Sequence, residues 1–256
     1  LALSQESPQR AMALYREAIA KTLAPGETVA DLGCGSGVLG LMCLEGGAGH
    51  VYAIDSTAAI EIARRSLEGS GWADKSTCIH GLTYRVEVPD PVDLLICDHV
   101  GYFGLDYHLL DMLADARQRM LKPGGQLMPR LLDLFLTAVE SPESWNEASA
   151  WKDAKVPSAF HWVSTHGLNS KHPATLRAGE VLADPARVES LTLGEPSEDF
   201  FRWQVKVKTL RSGTVHGLAG WFECELAEGV WMTNSPLKPA AIDRHQAFFP
   251  LEHPLE

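Results

Sequence analysis

Residues 29–41 read VADLGCGSGVLGL. A short apolar run gives way to a glycine-rich loop, and apolar residues at helical spacing follow, so the stretch reads as strand, loop and helix start. Glycines 33, 35 and 37 remove side chains where a ligand would touch the backbone. Tight strand–helix turns use glycines as well, so the loop alone is a weak signal. Two acids sharpen it. Asp31 stands just before the loop, at the carboxyl end of the strand, and Asp55 ends the next apolar run, HVYAID. An acid at that second place can accept hydrogen bonds from both hydroxyls of a ribose.

The same rhythm extends on both sides of this stretch. Residues 9–24, QRAMALYREAIAKTLA, repeat apolar positions at helical spacing and stop at Pro25-Gly26. Downstream, KSTCIHGL, VDLLICDHVG and LLDMLADARQRMLKPGG continue to alternate short apolar strands with helices, which predicts a parallel sheet covered on both faces. After LKPGGQLMP the period changes. LLDLFLTAVE, FFRWQVKVKTL, TVHGLAGWFECEL and GVWMTN alternate residue by residue. Phe201, Trp203, Val205 and Val207 would share one face of a strand, and RSGT reads as a hairpin turn into the next one. The expectation is an α/β domain over residues 1–128 followed by an antiparallel β domain over residues 129–256. Residues 142–173 are rich in Trp, His, Ser and Lys and read as an arm, a lid or a long connection.

Composition sets limits. The chain has 256 residues, 45% of them hydrophobic, enough for one large domain or two modest ones. No apolar run approaches the roughly 20 residues that span a bilayer, and no signal-peptide pattern opens the chain, so a membrane partner is not expected. Five cysteines without CxxC spacing read as free thiols in a reducing, cytoplasmic setting, and no metal-ligand spacing is present. A net charge of −11 argues against a nucleic-acid partner. It suits a cationic substrate, although a soluble acidic protein is the plainer explanation.

The ligand of the glycine loop is a dinucleotide or another adenosine compound. The dinucleotide fingerprint reads G-x-G-x-x-G; here the loop reads D-x-G-x-G-x-G. DLGCGSG resembles the first motif of the Rossmann-like S-adenosylmethionine-dependent methyltransferases. The resemblance implies S-adenosyl-L-methionine as cofactor. Asp31 would lie near its amino group, Gly33, Cys34, Gly35 and Gly37 along its methionine part, and Asp55 with Ser56 at the ribose. Leu82 and Thr83, in the turn after STCIHG, would meet the adenine through their backbone, though ordinary turn residues fit there almost as well.

Three further places narrow the resemblance. DLGCGSGVLGLMCLEGGAGHVYAIDST is similar to the nucleotide site of the protein arginine methyltransferases. VHGLAGWFECEL resembles a strand pair of their β-barrel, and DRHQAFFPLEHP resembles their threonine-histidine-tryptophan loop. The family's architecture is a Rossmann-like domain followed by an antiparallel β-barrel-like domain. In that family two glutamates flank a W-M-G-Y segment and clamp the substrate guanidinium. Here the first glutamate falls on Asp98, which would border cofactor and acceptor alike. The tryptophan falls on His99, the segment continues Val100-Gly101-Tyr102, and the second glutamate falls on Tyr107. Asp106 and Asp111 are near but out of register. The resemblance makes Asp98, Tyr102 and His245 the catalytic candidates, with His245 orienting Asp98 or acting as base, and gives Arg10 of the first helix the cofactor carboxylate. His99 and His108 are further candidates for which an ordinary hydrogen-bonded histidine is the better reading.

A guanidinium needs paired carboxylates; one aspartate and a tyrosine make a poorer clamp. Three functions follow. One is a methyltransferase for a small-molecule or modified-peptide acceptor with a rebuilt pocket. The second is a protein arginine N-methyltransferase in which Asp106 or Asp111 replaces the lost acid. The third is a non-catalytic S-adenosylmethionine-binding partner. The family continues through more barrel strands beyond the DRHQAFFPLEHP loop, so either the barrel is reduced or the sequence is a piece of a longer one. Residues 142–173 take the place of the family's dimerisation arm but differ in character, so a homodimer is allowed rather than required.

Overall fold

The apolar runs of the first half are buried along nearly their whole length, as strands covered on both faces must be. A computed structural model of the chain describes residues 8–153, 155–198 and 200–256. In it β1 (Thr28–Leu32), β2 (His50–Asp55), β3 (Ser76–His80), β4 (Val92–Ile96) and β5 (Leu121–Met128) form a parallel sheet of order β3-β2-β1-β4-β5. Helices α1 (Pro8–Thr22), α2 (Val38–Glu45), α3 (Ala59–Gly69) and α4 (Leu109–Met120) accompany it. The order reverses at β1: β2 and β3 lie to one side, β4 and β5 to the other. At such a switch point a crevice opens beyond the carboxyl ends of the strands. Asp31, Asp55 and the loop after β4 all face that edge.

The second sheet is antiparallel. β9 (Val215–Ala227) is its spine and pairs with β6 (Leu131–Val139), β10 (Val230–Thr233) and β11 (Gln246–Leu255). β8 (Ala186–Thr192) and β7 (His172–Ala174) form its edges among the described residues. One core joins the two sheets. Val29, Leu32 and Ile96 of the first pack in the same buried cluster as Phe222, Cys224 and Met232 of the second, with Tyr15 of α1 between them. Each large apolar side chain so buried contributes about 1.5–3 kcal/mol, so neither sheet's inner face is dispensable to the other.

Three sequence expectations are modified. Residues 201–208 form no ladder; a single bridge joins Thr209 to Ala183. Phe201, Trp203, Val205 and Val207 are nonetheless half-buried while Arg202, Gln204, Lys206 and Lys208 are exposed, so the alternation reports a real apolar face without a partner strand. RSGT is accordingly no hairpin turn. Arg211 ties it to Glu140 instead, and the Thr214 amide donates to the same carboxylate. Residues 142–173 fold into α5 (Pro142–Ser149), α6 (Val163–Leu168) and short 3-10 turns. They pack on β11, where the Trp145 indole donates to the Leu251 carbonyl at 2.8 Å. The five cysteines are unpaired, and no described helix is long and apolar enough to cross a membrane.

Candidate active site

The glycine loop is stitched to the end of β2. The Cys34 amide donates to Ile54 O at 2.9 Å, and the Gly35 amide to Asp55 Oδ2 at 2.8 Å. Asp55 Oδ1 accepts from the Thr57 amide and hydroxyl at 2.7 and 2.6 Å. Burial pushes this carboxyl up, but the Thr57 and Gly35 donors outweigh it, so its pKa lies below the usual range and it is ionised at neutral pH. Ser56 is exposed beside it and its carbonyl accepts from His80.

Asp31 is different. It is 1% exposed; Oδ2 accepts from the Gly40 amide at 2.9 Å, and Oδ1 has no hydrogen-bond partner. Burial raises its pKa to about 7, only partly countered by Gly40. A buried carboxylate oxygen without a partner is costly, and a cationic ligand group at the loop would supply the partner. The residues therefore fit S-adenosylmethionine: an acid for an ammonium at Asp31, an ionised acid for ribose hydroxyls at Asp55, and glycine backbone between them.

Leu82 and Thr83 lie where the adenine contact is expected, in the turn after β3. Leu82 is half exposed, while Thr83 is buried with its carbonyl accepting from Arg119 at 2.7 Å. Arg10 is exposed on α1 and donates to Pro239 O at 3.2 Å, so it points at the second half of the chain rather than at the glycine loop.

The loop that the resemblance gives to the acceptor follows β4. The Tyr15 hydroxyl donates to Cys97 O at 2.8 Å and lies 3.4 Å from Asp98 Oδ1. Asp98 is gripped from the other half of the chain: Arg244 donates to its Oδ2 at 2.9 Å and its Oδ1 at 3.3 Å, and to Gly101 O at 3.2 Å. Burial opposes the charge on Arg244, but Asp98 more than offsets it and the guanidinium pKa rises. This is the partner that sequence reasoning gave to His245. His245 is exposed, and its Nδ1 sits 2.9 Å from Thr175 Oγ1, away from Asp98.

The rest of the loop is closed on itself. Gly101 has φ +63°, and Asp106 folds beneath it to accept from the Tyr102 and Phe103 amides at 2.9 and 2.8 Å. Lys171, from the segment after α6, pairs with Asp106 and lies 4.7 Å over the Tyr102 ring. Asp106 is therefore committed to the loop. Tyr107, at the position of the second acid, is 66% exposed, so nothing anionic stands opposite Asp98 there. His99 faces the glycine loop. Burial holds its pKa low against the pull of Asp98 and Asp55, and its Nδ1 has no partner. Arg244 and Lys171 were not visible as site residues. Arg244 left a trace only as the neighbour of a motif histidine, and Lys171 left none.

Residues 29–125 match the family model of the methyltransferase domain. A probable protein arginine N-methyltransferase 6 of Arabidopsis thaliana is 28% identical over 222 residues, covering 83% of this chain and 51% of that protein. Protein arginine N-methyltransferase 1 of Dictyostelium discoideum is 28% identical over 231 residues, covering 84% and 64%. The chain thus spans about half to two thirds of the length of these curated relatives. Among solved structures, the Trypanosoma brucei PRMT1 enzyme-prozyme heterotetrameric complex with AdoHcy superposes with a TM-score of 0.84 at 22% identity, over 96% of this chain and 80% of that one. Arabidopsis thaliana protein arginine methyltransferase 10 gives 0.83 at 21%, over 97% and 81%. At that identity the structures speak to the fold, which is a Rossmann-like sheet followed by an antiparallel one.

Proposed function

We propose, from a chain that carries a methyltransferase domain and resembles the protein arginine methyltransferases in sequence and fold, that it is an S-adenosylmethionine-dependent methyltransferase with a rebuilt acceptor pocket, acting on a small molecule or a modified peptide. The observation that carries the cofactor reading is the unpartnered, buried Oδ1 of Asp31 together with an ionised Asp55, at the carboxyl ends of the neighbouring strands β1 and β2. Residues 1–128 are the cofactor half and residues 129–256 the acceptor half, and the cytoplasm is the compartment that suits five free thiols.

When bound, S-adenosylmethionine supplies an electrophilic sulfonium methyl group. The chain's own residues then bind, orient and handle a proton. Asp31 takes the ammonium, Asp55 the ribose hydroxyls, and Gly33 and Gly35 let the backbone approach. Catalysis of this kind is mostly alignment of the nucleophile. Asp98 sits between the two halves and is the group that would hold the acceptor or take its proton, with Tyr15 and Arg244 fixing its carboxylate. Tyr102 lines the same loop, and its hydroxyl pKa is raised by burial and by Asp106, which keeps it a neutral donor.

A second reading, a non-catalytic cofactor-binding partner, is favoured by the engagement of Asp98 with a resident arginine. A protein arginine N-methyltransferase would need Arg244 to leave, since Asp106 is bound into its loop. A homodimer is compatible with each reading and required by none. The test uses methyl-labelled S-adenosylmethionine with the protein and a cell extract, separated by size. Label in small molecules or in non-arginine positions of peptides supports the proposal. Label recovered as methylarginine overturns it in favour of the family's usual acceptor. Cofactor binding without label in any fraction supports the partner reading.

A further inference from the structure

We propose that Arg244 is a specificity-determining residue of this site: its guanidinium occupies the carboxylate that would receive a cationic acceptor, so the group methylated here carries no positive charge. The inference rests on the methyltransferase reading above and names the acceptor class for it.

The pairing is built rather than incidental. Arg244 contacts both oxygens of Asp98 and the Gly101 carbonyl, joining the acceptor loop to the segment that enters β11. Its own backbone is held on both sides: its amide donates to Ile242 O at 3.0 Å, and its carbonyl accepts from Gln246 Nε2 at 2.9 Å. Gln246 is 6% exposed and in turn accepts from the Leu176 amide and donates to Asn234 O. The backbone that carries Arg244 is thereby fixed by a buried amide network.

Charge pairing points the same way. Asp98 is matched by Arg244 and Asp106 by Lys171, and Tyr107 stands where a second acid would be needed. A substrate guanidinium arriving at Asp98 meets a like charge already in place, which is discrimination by repulsion rather than by a missing contact. A guanidinium has more N–H donors than the three contacts above use, so Arg244 can still donate to an oxygen of a neutral or anionic acceptor.

The test titrates the whole protein with methylguanidinium chloride and with an arginine-glycine-rich peptide, using sodium chloride at matched ionic strength as control. Wild type and Arg244→Ala are compared, with Arg244→Gln as a second variant should the first not fold. Arg244→Ala is expected to bind methylguanidinium about tenfold or more tightly than wild type, the scale of one charge-assisted contact regained, and to take up the peptide where wild type does not. Equal binding by wild type, methylation of the peptide by wild type, or no gain in either folded variant overturns the proposal. S-adenosylhomocysteine is titrated in parallel. Its failure to bind any of the proteins overturns the methyltransferase reading and with it the acceptor class named here, while a guanidinium gain in the same variants then shows only that Arg244 guards Asp98.

Discussion

The His99 imidazole rests on Gly33: a Cβ built on that glycine would overlap the His99 ring. Gly33 has φ +66°, so the position disfavours any side chain twice, by conformation and by contact. Gly33→Ala should destabilise the fold by about 1–2 kcal/mol from the left-handed backbone alone and abolish S-adenosylmethionine binding by pushing the ring into the crevice. His99→Ala should tighten cofactor binding, because the ring covers the glycine face that the cofactor needs. In the double variant the contact penalty disappears and the backbone penalty stays, so the two changes are non-additive. Calorimetric titration and urea melts of all four proteins measure this. A loss of cofactor affinity in His99→Ala would show that the imidazole touches the cofactor instead of screening the loop.

Asp31 makes the stability of the protein fall with pH. Its native pKa, about 7, lies above the ordinary carboxyl value because the group is buried. Between these two pH values the native state holds a proton that the unfolded state has lost, so stability declines as pH rises from about 4 to about 7 and then levels off. Asp31→Asn removes that slope. It should be more stable than wild type at pH 8, by about 1–3 kcal/mol, and bind S-adenosylmethionine more weakly, since the cation loses its counter-charge. Wild-type cofactor affinity should rise with pH through about 7 as Asp31 ionises. Urea melts at pH 5 and pH 8 decide the first point. An Asp31→Asn protein destabilised equally at both would mean that the carboxylate is structural.

The first half was legible because its physics is local. Strands buried on both faces must be continuous apolar runs, and β1, β2 and β4 are. Asp31 and Asp55 could be placed because their positions at strand ends follow from those runs. The stretch from Phe201 to Val207 was half legible. Its period of two correctly reports which side chains are sheltered, but the hydrogen-bond partner of a strand is a long-range fact, and here there is none beyond the bridge at Thr209. The side chain that pairs with Asp98 is Arg244, one residue before the histidine that the resemblance singled out. Neighbours on an extended segment point to opposite sides, so with His245 turned to Thr175 it is Arg244 that meets Asp98. No local pattern sets that register. It depends on how Gln246 is seated on Leu176 and Asn234, contacts about 70 and 12 positions away in sequence.

Lys171 gives the segment before β7 a role that the sequence left open. It is the one described cation paired with Asp106, a carboxylate with only 9% side-chain exposure, and it covers the Tyr102 ring. Residues 142–173 are thereby tied to the loop after β4. Lys171→Met keeps the apolar stem and removes the charge, leaving Asp106 with its two backbone donors but no counter-ion. The fold should lose about 1–3 kcal/mol, and the loop, no longer clasped, should present Tyr102 and Asp98 less consistently. The kinetic signature is a raised KM for the acceptor that outweighs any change in Kd for S-adenosylmethionine, because Lys171 meets Asp106 and Tyr102 rather than Asp31 or Asp55. Lys171→Arg should restore most of both losses. If Lys171→Met instead weakens cofactor binding in proportion to its loss of stability, the clasp is only a strut between the two sheets and the arm has no part in holding the acceptor.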